Sequence, residues 1–327
     1  MVLLACAGTA ASQGLEAARL GVIYNLDEES APGIARLYGA RRSIPADNIR
    51  GVHLGQASVI DPAAFMRIRQ DAIDHLPGGV QSLALVWSRP FAVGCMSITT
   101  AMAAGYKAAF CEPGCGGTAP NPLYDAEGWL PADTVGWLPA MLIPSGDPSL
   151  ARNLVERGIA SDGGMPRGTL YLARTSDRNR NVRAATYADV ESTLGARLHI
   201  SELTTPVSGE VTGVIGYFTG AARVDELPHI HFLPGAVADH LTSSAGVLSG
   251  GTQTSALAWL EQGAIASYGN VSEPCNHLEK FPDIAVLMKH YLSGETVLEA
   301  YWKSVKMPGQ GLFVGEPLSR PYAAPTR

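Results

Sequence analysis

Short apolar runs alternate with segments that carry apolar residues at helical spacing over the first third of the chain. Strands are predicted at 18–25, 48–54 and 82–88, and helices are predicted after Ser30 and Asp61, residue types that cap helix starts. The last of these strands is apolar at nearly every position, which is typical of a strand covered on both faces. The order strand, helix, strand, helix, strand predicts a doubly wound α/β fold with a mostly parallel sheet.

The pattern breaks between residues 89 and 147, where Gly, Pro and Cys are frequent. We interpret this segment as a long, cysteine-containing loop insertion, because loops of such length inside a compact domain are usually functional or covalently stapled. Alternation then resumes, with strands and helices predicted at 150–157, 168–174, 181–194, 198–203 and 211–218. No repeat or low-complexity linker divides the chain, so residues 18–327 are predicted to form a single α/β domain.

Composition narrows the classes of function. Of 327 residues, 46% are hydrophobic and 17% are charged, which favours a large core, and the net charge of −6 argues against a nucleic-acid surface. No apolar run approaches the roughly 18 residues that a spanning helix needs, so no transmembrane segment is predicted. No Walker A loop, H-E-x-x-H motif or dinucleotide fingerprint occurs, and no cofactor is predicted.

The N-terminal segment, residues 1–17, has two interpretations. Val2–Gly8 resembles the end of a signal peptide, and 3–6 has the shape of a lipoprotein cleavage site, but a basic region and a longer apolar stretch are missing. The alternative is a first edge strand.

The cysteine positions allow two kinds of cross-link, disulfides or a metal site. Apart from Cys6, the cysteines lie inside the globular part, namely Cys95, Cys111, Cys115 and Cys275. These are disulfide candidates in an exported protein, whereas Cys111, Cys115 and Cys275 are the candidate ligands of a metal site in a reducing compartment. Cys111-x3-Cys115 lacks a matching second pair, so the pattern favours disulfides and no metal is predicted.

The stretch from Leu233 to Cys275 carries the residues with reactive side chains. An apolar strand is predicted to end at Ser249-Gly250-Gly251, a helix follows, and a second strand at 264–268 leads to Glu273 and Cys275. In an open α/β sheet, ligands bind in the crevice beyond the carboxyl ends of the strands. The sequence therefore predicts a site here.

Each candidate residue also has a structural interpretation. His240 beside Asp239 is a candidate general base, yet neighbours on a strand point to opposite faces, and a histidine bonded to the backbone at a helix start is the alternative. Cys275 is a candidate thiolate nucleophile or a disulfide partner. Ser249 is a candidate nucleophile, and the amides near Gly250 are candidate oxyanion donors, although a tight turn explains the glycines equally well.

Long stretches of the chain resemble a family of bacterial exported proteins found in genomes with exosortase-type sorting. The stretches are PFAVGCMSITTAMAAGY (90–106), GYFTGAARV (216–224), FLPGAVADHLTSSAG (232–246), ASYGNVSEPCNHLEKFP (266–282) and GETVLEAYWKSVKMPGQGLFVGEPL (294–318). This resemblance implies a periplasmic or extracytoplasmic location, with a protein partner in an envelope assembly. It implies no particular activity.

A remoter resemblance is to gingipain-like and caspase-like cysteine peptidases, in which His-Gly ends one strand of a doubly wound sheet and Cys ends the next. Matching 216–220 to the first motif puts Thr219 in place of the histidine. Matching 246–251 to the second puts Ser249 or Gly250 in place of the cysteine. The resemblance implies a caspase-like arrangement in which both catalytic positions are replaced.

Two main functions follow from these observations, and a third, a metal-binding protein that uses Cys111, Cys115 and Cys275, ranks below them. The favoured prediction is a non-catalytic binding or accessory subunit of a bacterial envelope assembly. The alternative is a cysteine or serine hydrolase or acyl-transfer enzyme, with His240 as base, Cys275 or Ser249 as nucleophile, and Glu273 in the same crevice.

Overall fold

The computed structural model describes residues 14–111, 115–207 and 209–324. The strands in these ranges are β1 (Leu20–Asn25), β2 (Ile49–Val52), β3 (Val59–Ile60), β4 (Ser82–Val86), β5 (Ala92–Val93), β6 (Met96–Ser97), β7 (Ala140–Ile143), β8 (Thr169–Arg174), β9 (His199–Thr204), β10 (Val211–Thr219), β11 (Ile230–His240), β12 (Ala266–Asn270) and β13 (Gly311–Gly315). The α-helices are α1 (Ala31–Arg42), α2 (Pro62–Asp74), α3 (Ile98–Ala104), α4 (Pro131–Val135), α5 (Pro148–Ser161), α6 (Tyr187–Leu194), α7 (Ala256–Gln262), α8 (Ile284–Leu292) and α9 (Val297–Ser304).

The main sheet has ten strands in the order β2-β1-β4-β7-β13-β12-β11-β10-β8-β9. β2, β1, β4 and β7 run parallel to one another and form the first set. β12, β11, β10, β8 and β9 form a second parallel set. β13 lies between the two sets, joined to β7 by one register pair and to β12 by five antiparallel pairs. The predicted class, an α/β fold with a mostly parallel sheet, is confirmed. The carboxyl ends of the two sets lie on the same side of the sheet, because the Ser272 hydroxyl after β12 donates to the Cys95 carbonyl (2.8 Å) in the segment that follows β4.

Local sequence explains where several elements begin. The Asp61 carboxylate accepts a hydrogen bond from the Ala64 amide (2.9 Å) at the start of α2. At the start of α9, Thr296 and Glu299 form a reciprocal capping box. β4 is buried along its whole length, as its continuous apolar sequence predicted. These signals act over a few residues, and the sequence predicted two of them, the cap at Asp61 and the continuous apolar strand β4.

Buried apolar side chains form a large cluster that includes residues from Leu15 to Leu318. Trp302 stacks on Phe313 of β13, with ring centroids 4.5 Å apart. A second cluster surrounds Trp259 of α7 and Tyr217 of β10. The second cluster fixes α7 against the strands that carry the predicted site.

The interpretation of 89–147 as a loop insertion is wrong in part. β7 lies inside this segment and occupies a position between β4 and β13 in the middle of the main sheet. Its four residues stand between Pro139 and Pro144, so the apolar run was too short to be recognised as a strand. α3 and α4 also fall within the segment.

The predicted strand ending at Ser249-Gly250-Gly251 is also wrong. The strand in this region is β11, which is 11 residues long and ends at His240. The apolar residues that follow it lie in a loop. At Gly246 the loop crosses the end of β12, where the Gly246 amide donates to the Asn270 carbonyl (2.9 Å). A Cβ at 246 would lie 2.4 Å from the Gly269 carbonyl oxygen, so glycine permits the close approach.

Two predictions concern parts of the chain that the described ranges do not cover fully. Residues 1–13, including Cys6, lie outside them, so the signal or edge-strand interpretation of 1–17 stays a prediction. The single-domain boundary at 18–327 stays a prediction as well. Within the described residues, every helix is too short or too polar to cross a bilayer.

Candidate functional site

The ends of β10 and β11 lie side by side at the carboxyl edge of the second set. Thr219 and His240 are register partners in this parallel pair, and the Leu241 amide donates to the Thr219 carbonyl (2.9 Å). Thr219 is fully buried, and its hydroxyl donates to the Ala173 carbonyl of β8 (3.2 Å). Both strand ends therefore direct these side chains into the protein.

His240 is completely buried. The indole N–H of Trp259 donates to its Nδ1 at 2.9 Å, which requires the proton of the neutral ring to be on Nε2. Burial is the main cause that lowers the pKa of His240 to about 3, and the Thr254 backbone opposes this shift. A neutral ring held this way is a structural residue in this conformation, and it does not face the cleft as the predicted base would.

The buried imidazole makes stability depend on pH. In the unfolded chain His240 takes up a proton near its ordinary pKa of 6.5, but in the folded protein only near 3. Because the unfolded state then binds more protons, the contribution is complete above pH 6.5 and is lost as the pH falls towards 3, by up to about 1.4 kcal/mol per pH unit. From pH 7 to pH 5, urea unfolding should show a loss about 2 kcal/mol larger for the wild type than for His240→Gln. Equal losses would contradict this role of His240.

Asp239 points to the other side of β11 and does not orient His240. Its carboxylate forms a fully buried ion pair with Arg183. Arg183 also donates to the Pro282 carbonyl (2.9 Å) and lies over the Phe218 ring, 5.2 Å from its centroid. Burial raises the pKa of Asp239, and the adjacent Arg183 acts against that rise. This pair joins β11 to the segment after β8 and does not reach the cleft.

Cys275 is bonded to Cys115, and Cys95 is bonded to Cys111. A disulfide sulfur is neither a thiolate nucleophile nor a thiolate ligand, so Cys275 cannot attack a substrate in this state. The same bonds overturn the metal site built from Cys111, Cys115 and Cys275. Among the described residues, no group of three or more His, Cys, Asp or Glu side chains is arranged to hold a metal ion.

Ser249 is an exposed residue of the loop between β11 and α7 and does not lie at the end of a strand. Gly250 has a φ of +77°, which explains its glycine as a backbone requirement of the turn. The candidate nucleophile Ser249 and the candidate oxyanion donors at Gly250 are therefore not placed beside His240 at the end of a strand. The alternative interpretation of these glycines, a tight turn, agrees with the backbone.

A cleft of about 290 Å³ opens just beyond the two strand ends, and we refer to it as the strand-end cleft. It is lined by Asn179, Arg180, Leu241, Thr242, Ser243, Glu273, Cys275 and Asn276. The crevice predicted from 233–275 thus contains Glu273 and Cys275, together with the residues that follow His240. His240 itself is not among the lining residues.

Hydrogen bonds hold the polar side chains of the strand-end cleft in place. Arg180 donates from Nε to the Thr242 hydroxyl (2.8 Å) and from Nη1 to the Asp177 carboxylate (2.9 Å). The Thr242 hydroxyl in turn donates to Gln253 Oε1 (2.8 Å). Glu273 accepts from the Cys275 amide (2.7 Å). The cleft therefore has a preformed cation on one side and a carboxylate on another.

Sequence reasoning missed Arg180, Asn179 and Asn276. The signal for the first two was the polar run SDRNRN directly after β8, because strand-end loops at the carboxyl edge supply ligand contacts. This polar run indicates a position at the cleft only when β8 is known to lie beside β10.

Comparison with known proteins places the fold. The crystal structure of the Arg-specific cysteine proteinase gingipain R is similar to this chain with a TM-score of 0.54 and 8% sequence identity, over 95% of this chain and 80% of that one. The protein therefore has a caspase-like fold, and the remote resemblance is confirmed at that level. No protein-family model and no curated protein matches the sequence. Membership of the exported family stays a prediction.

Proposed function

We propose that this protein is a non-catalytic member of the caspase-like fold that binds a partner protein through the strand-end cleft. One observation carries the proposal: at the two strand ends, Thr219 and His240 are fully buried and hydrogen-bonded inward. In the peptidase pattern, a histidine ends one strand and a cysteine ends the next. The strand that follows β10 is β11, which ends at His240, so a match of the peptidase pattern to this strand also has no cysteine.

The cleft has the character of a recognition site. Its volume of about 290 Å³ is at the lower limit of pockets that enclose small molecules, roughly 300–1,000 Å³, so it suits an inserted side chain or loop. Arg180 and Glu273 offer both signs of charge, and Ser243, which also lines the cleft, is half-buried. Preformed polar groups of this kind favour specificity for a complementary polar segment.

The proposed setting is a bacterial envelope assembly in which the chain serves as an accessory subunit. The two disulfides support an oxidising compartment such as the periplasm. The resemblance to exported proteins supports the same location. A hydrolase would need another base and nucleophile, since Cys275 is bonded and His240 is enclosed.

Co-purification from the native host tests the cleft. Ser243→Arg fills the cleft with a long side chain, whereas Ser249→Arg makes the same change on the exposed loop outside it. We expect a specific partner to be retained with the wild type and with Ser249→Arg, and to be lost at least about tenfold with Ser243→Arg. Asn276→Arg also fills the cleft with a long side chain, at an exposed position where the larger residue should not disturb folding. Equal recovery with all variants would contradict the assignment of this cleft.

Hydrolysis assays test the non-catalytic part. Because the structural neighbour is an Arg-specific proteinase, peptides with a reporter after arginine are the first substrates to try. We expect no turnover above that of Ser243→Arg. A thiol probe added without reductant should also leave a Cys6→Ser variant unlabelled. Turnover that Ser243→Arg abolishes would overturn the proposal and favour the hydrolase.

A further inference from the structure

A second cavity lies beyond the carboxyl ends of β1, β4 and β7, and we refer to it as the first-set cavity. Its volume is about 710 Å³, within the roughly 300–1,000 Å³ of small-molecule sites. The lining residues that matter here are Glu28, Ile34, Ser88, Arg89, Pro148 and Arg152. They follow β1, β4 and β7, so the cavity is built from loops of several neighbouring strands.

The strand order explains why a cavity forms at this place. β1 lies between β2 and β4, so the chain leaves β1 towards one side and later returns to the other. Connections that depart in opposite directions leave a crevice at the carboxyl ends of the two strands, which is the usual ligand position in open α/β sheets. Glu28 follows β1 and Ser88 follows β4, on the two sides of this point.

The floor of the first-set cavity is preformed by hydrogen bonds. Glu28 accepts from the Ser88 amide (2.8 Å) and from the Ser145 hydroxyl (2.5 Å). The Gly146 amide donates to the Ser88 hydroxyl oxygen (2.7 Å). At the start of α5, Asp147 accepts from the Ser149 and Leu150 amides. The carboxylate of Glu28 and these amides are therefore engaged within the protein.

Two guanidinium groups on the cavity wall remain unused. In the described ranges, neither the Arg89 nor the Arg152 side chain makes an ion pair or hydrogen bond, and both are exposed. A guanidinium matches a carboxylate in a bidentate pair. Ile34 and Leu37 of α1 and Pro148 add apolar surface. Glu29, also on the wall, keeps the lining close to neutral, which suits a monoanion better than a phosphate.

We propose that the first-set cavity binds a small-molecule carboxylate with an apolar body, whose carboxylate pairs with Arg152 and Arg89. The apolar body would pack on Ile34, Leu37 and Pro148. This site is independent of the strand-end cleft and of the partner proposed for it, because the two cavities share no lining residue.

Calorimetry with defined probes tests the proposal on the full chain. The probes are hexanoate and 4-phenylbutyrate, with 4-phenylbutyramide as an uncharged analogue of the same shape. We expect a carboxylate to bind at least about tenfold more tightly than the amide, in line with a charged hydrogen-bonded contact. Absence of binding by both carboxylates at millimolar concentration, or equal binding of the amide, would overturn the proposal.

Matched variants locate the binding. Arg152→Gln should weaken carboxylate binding about tenfold, whereas Arg36→Gln, an exposed arginine of α1 that does not line the cavity, should leave it unchanged. Gly33→Phe should abolish binding by filling the cavity, since a Cβ at 33 meets no atom within 4 Å. Thermal unfolding checks that each variant folds. Binding that survives both Arg152→Gln and Gly33→Phe would overturn the proposal.

Discussion

Replacing Arg183 with methionine is expected to lower the free energy of unfolding by about 3–5 kcal/mol. Methionine keeps much of the side-chain length but removes the only charged partner that the described residues give to Asp239. The carboxylate then remains fully buried without its counter-charge, which is far more costly than loss of the attraction alone. Urea unfolding at pH 7, monitored by circular dichroism, measures the difference.

Two further variants separate a buried charge from a general packing defect. Arg183→Met combined with Asp239→Leu removes both charges and should recover most of the loss. Arg174→Met breaks an exposed pair with Glu202, whose side chains are 43% and 45% accessible, and should cost less than about 1 kcal/mol. A double variant as unstable as Arg183→Met would contradict the electrostatic explanation.

Removal of the Cys115–Cys275 disulfide should also be strongly destabilising. The bond joins residues 160 positions apart, and its loss in Cys115→Ala/Cys275→Ala is expected to cost about 4–5 kcal/mol, because the unfolded chain regains the freedom of a long loop. Denaturant unfolding without reductant gives the value. The same disulfide holds Cys275 at the wall of the strand-end cleft.

The other disulfide provides a control within the same molecule. Cys95–Cys111 closes a separation of 16 residues, so Cys95→Ala/Cys111→Ala should cost about 3 kcal/mol by the same relation. It should leave partner binding at the strand-end cleft unchanged, whereas loss of Cys115–Cys275 should weaken it. A larger loss of stability in Cys95→Ala/Cys111→Ala than in Cys115→Ala/Cys275→Ala would show that loop length does not govern these effects.

Of the predicted site residues, Glu273 and Cys275 line the strand-end cleft, and both follow β12, a strand that the sequence predicted. His240 was expected to face that crevice, but Trp259 and the surrounding core enclose it. No local pattern reports that enclosure, since Trp259 contacts His240 from a different element.

By itself the sequence determined most of the elements and the class of fold. Apolar periodicity and helix caps act between residues a few positions apart, so β4, α2 and α9 could be predicted directly. Cysteine content indicated staples but not their pairing, because pairing depends on which Cα atoms come within about 6 Å.

Tertiary structure alone decided where the two cavities and their polar side chains lie. The short strand β7 was recognisable only from its neighbours β4 and β13. Two separate crevices form, one beyond β1, β4 and β7 and one beyond β10 and β11, because loops from different strands line each of them. Contacts between these strands and loops join residues far apart in sequence, and their energies depend on packing that no single segment encodes.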